Sequence, residues 1–338
     1  MRIALDAMGG DKAPRVIVEG AVIAAREAES DIQILLVGRS EIIRQELERF
    51  GKFKGIEIVH AEDVVSMDEQ PSVVLRKKKS SSIAVGLGLL RDGEADGFIS
   101  AGNTGAVVAN ALFILGRVKG VKRPAIATYV PSKTGGCILL DVGANIDSKP
   151  EHLLQYGIMG SCYANKVLGC ENPRVGLINV GEESTKGTEV VQEAYRLLSQ
   201  SDLNFIGNVE GRDLFNGRVD VAVCDGFVGN VVLKFAESVV DMVYVVMREA
   251  IQKTLRAKMG AFLMKPAFRD LKTRFDYAEY GSAPLLGVDG VCTIAHGGSD
   301  ARAIKNAIVT TCRYVRYDVR SLIAERIEQY ERSKAKTA

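Results

Sequence analysis

The sequence predicts an α/β fold, a largely parallel sheet covered by helices on both faces. Two observations carry that expectation. Apolar runs of strand length alternate with amphipathic helical stretches along nearly all of the 338 residues, the pattern of strand–helix–strand units. Loops combining Gly with Asp, Asn, Ser or Thr follow the strand-like runs, where such sheets gather ligands. No linker or shift of composition divides the chain. It reads as a single domain over residues 1–338, with a helical hairpin excursion at about 250–280.

The elements follow in order. Ile3–Leu5 reads as a strand, and Pro14 opens a helix running to about Glu29, proline being suited to a first helical turn. Ile32–Val37 is a strand, Ser40–Phe50 a helix and Ile56–Val59 a short strand. Ser72–Arg91 reads as one helix with a polar middle at Arg76–Ser80. Gly97-Phe98-Ile99 leads into Ser-Ala-Gly-Asn-Thr-Gly-Ala at 100–106, and Ala106–Leu115 leads out as a helix. Strands at Ala125–Tyr129 and Cys137–Asp141 precede a helix at Pro150–Leu168. Val175–Ile178, Leu203–Ile206 and Val219–Cys224 are strands, with a helix at Thr185–Leu198. Helices then run from Val228 to about Phe275 with breaks at Gly260 and Pro266. Val291–Ala295 is the last strand and Ser299–Gln329 the last helix, with a charged tail expected to fray from Glu331.

Composition narrows the function. The chain is 47% hydrophobic and 25% charged, ordinary for a globular protein. A net charge of +2, no Trp and only 6% aromatics argue against nucleic acid as a partner. Cys137, Cys162, Cys170, Cys224, Cys292 and Cys312 form no Cys-x-x-Cys pair and no zinc spacing. They read as buried thiols of a reducing compartment. The first residues look like a strand rather than a leader, and the most apolar stretch, Val228–Met247, is broken by Lys234, Glu237 and Asp241. The expected location is cytoplasmic.

Six strand-end loops share one chemistry: 6–11, 100–106, 141–145, 179–187, 225–230 and 296–300. Their expected placement is one edge of one sheet, forming a rim rich in N–H donors and carboxamides for phosphate. The candidate phosphate or substrate residues are Asp6, Gly9, Gly10, Gly102, Asn103, Thr104, Gly105, Asp141, Asn145, Asn179, Asp225 and Gly229. For the Ser100 loop alone, a capped turn at a helix start is the better explanation of the residues; the other five loops favour phosphate. There is no Gly-x-x-x-x-Gly-Lys-[Ser/Thr], no Gly-x-Gly-x-x-Gly after the first strand and no dense Asp cluster, so neither a cofactor nor a metal is expected. Lys186 reads as sitting at a helix start, where a cation opposes the helix dipole and structural use is unfavourable. Asn230 opens an apolar helix, as a cap or as a donor to an oxyanion. His296 precedes Gly-Gly at a strand end, fit for acid–base work or for a structural hydrogen bond.

These motifs together resemble the PlsX-type phosphate acyltransferases. The resemblance rests on Ala-Met-Gly-Gly-Asp at 7–11, Ser-Ala-Gly-Asn-Thr-Gly-Ala at 100–106 and Asp-Val-Gly-Ala-Asn at 141–145 with Lys149-Pro-Glu-His-Leu-Leu-Gln-Tyr156. Asn-Val-Gly-Glu at 179–182, Cys-Asp-Gly-Phe-Val-Gly-Asn at 224–230 and Ala-His-Gly at 295–297 complete it. It covers nearly the whole chain. It implies a three-layer α/β/α sandwich, isopropylmalate dehydrogenase-like and phosphate acetyltransferase-like. It implies transfer of a fatty acyl group from acyl carrier protein to inorganic phosphate, a homodimer, and peripheral attachment to the inner face of the membrane. It also points to Lys186 and Asn230 as catalytic, with His296 as a candidate to protonate the leaving sulfur. Lys12 stands where the family usually has His. Rival readings are a transferase using acyl-CoA, a nicotinamide-dependent dehydrogenase of the same fold, and a non-catalytic scaffold binding the carrier at a membrane.

Residues 252–275 interleave Lys253, Arg256, Lys258, Lys265, Arg269, Lys272 and Arg274 with apolar residues including Leu263, Met264 and Phe268. Basic plus apolar suits an anionic membrane or an acidic carrier, with Leu263, Met264, Lys265 and Phe268 as the contacts. A dimer-interface or core-covering hairpin fits the same pattern.

Overall fold

The computed structural model describes residues 1–27, 32–51, 54–269 and 281–337. Among these, eleven strands make one sheet. They are β1 (Arg2–Asp6), β2 (Gln33–Gly38), β3 (Ile56–His60), β4 (Gly97–Ser100), β5 (Ala125–Ser132), β6 (Gly135–Leu140), β7 (Val175–Ile178), β8 (Phe205–Val209), β9 (Val221–Val223), β10 (Ala283–Leu286) and β11 (Cys292–Ile294). Across the sheet the order is β3-β2-β1-β4-β11-β10-β5-β6-β9-β7-β8.

Both faces of the sheet are covered, because side chains alternate along each strand. Ile3 and Leu5 pack on one side, against Ile17 and Val18 of α1 (Arg15–Glu27). Ala4 between them faces the opposite layer, with Ile83 and Leu87. The second half repeats the device: Leu139 joins that same opposite layer, while Ile138 and Leu140 face Leu153 and Tyr156. The result is the three-layer α/β/α sandwich.

Direction along the sheet is the main departure from expectation. Seven neighbouring pairs are parallel, but β11–β10, β10–β5 and β5–β6 are antiparallel. Three reversals turn the second half over. The carboxyl ends of β1, β4 and β11 therefore lie at one edge, and those of β6, β9 and β7 at the other. The six polar loops do not share an edge; they form two groups of three.

Local breaks also differ. The stretch expected as one helix is α3 (Pro71–Lys77) and α4 (Ser82–Arg91). Between them the Lys78 ammonium donates to the Val64 carbonyl at 2.5 Å and Glu69 at 2.6 Å, and Ser81 caps α4. The helix α5 (Thr104–Ile114) follows β4, and α6 (Pro150–Leu168) and α7 (Glu189–Ser199) cover the second half with the short α8 (Asp213–Asn216). The long α9 (Gly226–Gln252) ends at Lys253, and Thr254 caps α10 (Leu255–Leu263), which contains Gly260 rather than breaking there. Residues 270–280 of the expected hairpin lie outside the described residues. Asp318, at φ 44°, separates α11 (Ala301–Arg316) from α12 (Val319–Thr337), and α12 continues through the stretch expected to fray.

One ion pair ties the second half together. Arg174, entering β7, donates its backbone N–H and Nε to Asp220 at 2.8 Å each, and its Nη2 completes a bidentate pair. The Arg174 side chain holds the Asp220 carboxyl below the ordinary carboxylate range. A depressed folded value means stabilisation present above the unfolded carboxylate range and lost as pH falls through the folded value. Asp220→Asn is expected to lower the urea midpoint at pH 7, and its deficit against wild type should narrow toward pH 3.

Candidate active site

The first rim is built on β1, β4 and β11. Asp6 is buried, and its carboxylate accepts from the Ser100 hydroxyl at 2.7 Å and the Met8 N–H at 3.0 Å. Ser100 Oγ in turn accepts from the Gly102 N–H at 3.0 Å. Burial pushes the Asp6 carboxyl above its ordinary range. Gly9 is required here: a Cβ would stand 2.5 Å from Asp6 Oδ2 and 2.7 Å from the Gly102 nitrogen. The third loop joins through the Asp11 N–H, which donates to the Gly297 carbonyl at 2.9 Å beside Gly10.

Within this rim the polar groups divide. Asn103 is spent on structure: its oxygen accepts from the Ala106 N–H at 2.9 Å, and its Nδ2 donates to the Met67 and Glu69 carbonyls at 2.8 and 2.9 Å. Thr104 and Gly105 are exposed at the first positions of α5, where N–H groups lack intrahelical acceptors. His296 is exposed; its Nδ1 accepts from the Gly298 N–H at 3.0 Å, leaving the neutral ring's proton on Nε2.

The second rim lies on β6, β9 and β7, which are neighbours. Its keystone is Asp141, fully buried. Oδ1 accepts from the N–H groups of Ile126, Gly143 and Ala144 at 3.0, 3.2 and 3.0 Å. Oδ2 accepts from the Asn145 N–H at 2.7 Å and its Nδ2 at 3.0 Å. Burial raises the carboxyl above the ordinary range, and those donors oppose the rise. Asp141 thus occupies the loop's own N–H groups. Asn145 is engaged as well, donating to the Pro124 carbonyl at 2.6 Å. Both residues shape the rim rather than offering donors to a ligand.

The start of α9 docks on that loop. Gly226 donates its N–H to the Asn145 carbonyl at 2.8 Å, and Asp225 caps the helix by accepting from the Val228 N–H at 2.8 Å. A Cβ on Gly229 would collide with the Asp141 carbonyl and stand 3.0 Å from Cys224 Sγ. Asn230 follows, exposed; a methyl group built on Gly143 would lie 3.9 Å from its carboxamide carbon.

Lys186 comes from the next strand-end loop. It does not begin a helix: α7 is capped by Thr188, two residues later. Asn179 sets this loop, donating from Nδ2 to the Lys186 carbonyl at 3.0 Å. The aliphatic stem of Lys186 lies over Gly181, whose added Cβ would meet its Cγ at 3.4 Å. The ammonium has no ion-pair partner among the described residues. Lys186 and Asn230 thus stand on neighbouring strands of one edge, each with an uncommitted donor. His296 belongs to the opposite edge, which corrects the expectation of a single rim.

Burial pushes the Cys137, Cys162 and Cys292 thiols up to about 12, away from use as nucleophiles. On the flank of this edge, outside the Lys186 and Asn230 loops, lies Arg123, to which the sequence analysis assigns no role. It is exposed next to Pro124, whose carbonyl Asn145 holds, and its charge is felt by His152 and Tyr156. The available signal was a run of four cations and no acid over residues 117–123.

The fold is of the phosphate acetyltransferase type. The chain is similar to a phosphotransacetylase from Streptococcus pyogenes (TM-score 0.61, 18% identity, 94% of each chain). It is also similar to EutD phosphotransacetylase from Staphylococcus aureus (TM-score 0.60, 16% identity, 93% and 94% of the two chains). By sequence, the chain belongs to the family described as fatty acid synthesis protein, which matches residues 1–322. Its relatives include the phosphate acyltransferase of Pelotomaculum thermopropionicum, 55% identical over 308 residues (91% and 90% of the two chains). That of Heliobacterium modesticaldum is 53% identical over 329 residues (97% and 98%). The protein is an acyltransferase of the PlsX family, with phosphate as its acyl acceptor.

Gly229→Ala should lower the melting temperature and abolish turnover, because a main-chain carbonyl cannot yield as a side chain can. Gly211→Ala, with nothing within 4 Å of the added methyl, should change neither. Equal behaviour of the two variants in a thermal melt would contradict the close approach.

Proposed function

We propose that the protein transfers a fatty acyl group from the thioester of acyl carrier protein to inorganic phosphate, releasing acyl phosphate for phospholipid synthesis. The observation that carries this reading is the placement of Lys186 and Asn230 on loops after neighbouring strands of one sheet edge, with side-chain donors that have no partner among the described residues.

Hydrogen phosphate attacks the thioester carbonyl, a C–O bond forms, and the C–S bond breaks as the tetrahedral intermediate collapses. The proton carried by hydrogen phosphate passes to the departing thiolate, giving the acyl phosphate dianion and the free carrier thiol. Atoms and charge balance without a protein acid, so His296 on the other edge is not needed. Lys186 neutralises the attacking dianion, and the Asn230 carboxamide donates to the developing oxyanion. Phosphate is seated at this edge, within bonding reach of the carbonyl, rather than on the Ser100 loop.

The long helices supply the remaining surfaces. Of the 27 residues of α9 only Gly226 and Gly229 are buried. Phe235, Val239, Met242 and Val246 are 70%, 37%, 59% and 59% exposed. Their four–three–four spacing is a coiled-coil seam, suited to the same helix of a second copy. The tip differs. Leu255, Phe262 and Leu263 are 75%, 75% and 78% exposed, among exposed Lys253, Arg256, Lys258 and Lys265. Apolar side chains among cations suit an anionic bilayer surface, and Phe268, half-buried, closes the patch. No helix among the described residues is long and apolar enough to cross a membrane. Such contact is peripheral, on the cytoplasmic face where acyl carrier protein resides.

Lys186→Ala and Asn230→Ala should each reduce phosphate-dependent release of carrier thiol by ~10²–10³, with unchanged melting temperatures. Near-normal turnover in both would refute their roles. Leu263→Glu with Met264→Glu should lose sedimentation with anionic vesicles while keeping thiol release in solution; unchanged sedimentation would remove the tip from the membrane.

A further inference from the structure

The edge carrying Lys186 and Asn230 has a flank that the proposed reaction does not use. Between α5 and β5 the chain reads Arg117-Val-Lys-Gly-Val-Lys-Arg123, four cations in seven residues with no acid. Because β5 runs antiparallel to β6, this loop enters the sheet at the edge where β6 ends. It touches the candidate site directly: Asn145 Nδ2 holds the Pro124 carbonyl at 2.6 Å, and Asp141 holds the Ile126 N–H at 3.0 Å.

The loop is rigidly built. Buried Gln155 clamps it from both sides, accepting from the Lys122 N–H at 2.8 Å and donating to the Gly120 carbonyl at 2.9 Å. The Val118 N–H donates to the Gly287 carbonyl at 3.0 Å, and Arg117 Nη1 donates to the Lys122 carbonyl at 2.6 Å. Held this way, the loop presents its cations outward. Lys122 pairs with Glu151. Arg117, Lys119 and Arg123 are exposed and have no carboxylate partner among the described residues. The loop and Leu112 border an open depression of about 440 Å³ whose exposed lining is mainly polar, Val118 and Val121 being buried beneath it; Phe113, next to Leu112 in α5, is 79% exposed. Cations without carboxylate partners on a preformed loop favour an acidic protein surface, because charge complementarity is then met, and the exposed Phe113 ring at the end of α5 offers that surface an apolar contact.

We infer that the 117–123 loop is the docking surface for the acidic carrier protein, delivering its thioester arm to Lys186 and Asn230; this rests on the acyl transfer proposed above. Docking here leaves the α10 tip to the membrane. The preformed loop needs no ordering on encounter, and its charges act mainly on association.

The test is the double variant Lys119→Glu, Arg123→Glu in the full chain, assayed with two donors. One is palmitoyl-acyl carrier protein; the other is palmitoyl-N-acetylcysteamine, an uncharged thioester without the protein. The expected result is a KM for the carrier-borne donor raised roughly tenfold or more with kcat kept, and loss of the wild-type salt dependence of that KM. The small donor should react as with wild type. An unchanged carrier KM, or equal impairment with both donors, overturns the docking surface. A variant that becomes monomeric in sedimentation, or loses only vesicle binding, overturns it in favour of a second copy or a membrane. Failure of the wild type itself to transfer either donor's acyl group to phosphate would instead refute the proposed reaction.

Discussion

The edge proposed for acyl transfer depends on the buried carboxylate of Asp141. Its two oxygens take five N–H donors and so impose the shape of the 141–145 loop, the entry of β5 and the position of Asn145. That loop is the floor on which the first turn of α9 rests, close enough that only glycine fits at 229. Asn230 owes its place to this contact. A carboxylate here does what a bound anion does in many glycine loops, filling a concavity of N–H groups. The loop therefore has no donors left for a ligand, and donors must come from side chains on its borders: Asn230 and Lys186.

Much of this was legible in the sequence and some was not, for identifiable reasons. The strand–helix alternation is strongly periodic, and α6 and β7 begin and end where patterning places them. Strand β10 was missed because Gly281-Ser-Ala-Pro-Leu-Leu-Gly287 reads as turn chemistry; Pro284 stands in a strand only four residues long. The missed strand and the reversals beside it decide which loops meet. One reversal could have been read: β5 and β6 are joined by only Lys133 and Thr134, too short for a parallel crossover. Treating all six polar loops as one rim followed from assuming uniform direction.

Residue roles were harder still, since composition does not say whether a polar group is already spent. Asn103, Asn145 and Asp141 have the residue types of a phosphate site, yet their hydrogen bonds close on the protein itself. Lys186 reads from the sequence as a cation at a helix start; it lies before the cap, and what marks it out is an ammonium without an ion-pair partner among the described residues. The resemblance to phosphate acyltransferases held across the chain, at 55% identity to one relative. The basic 117–123 loop was overlooked because its cations are diluted in a chain of net charge +2.

The architecture separates three tasks. In the proposed reading, the Asp141 edge serves acyl transfer, the exposed apolar seam of α9 serves a second copy, and the basic and apolar α10 tip serves the membrane contact. The measurement that bears most directly on the account is trapping of the product. Wild-type protein is incubated with palmitoyl-acyl carrier protein and inorganic phosphate, and hydroxylamine is then added. The account predicts palmitoyl hydroxamate in an amount that rises with phosphate concentration and matches the carrier thiol released. Absence of hydroxamate, or hydroxamate independent of phosphate, would contradict it.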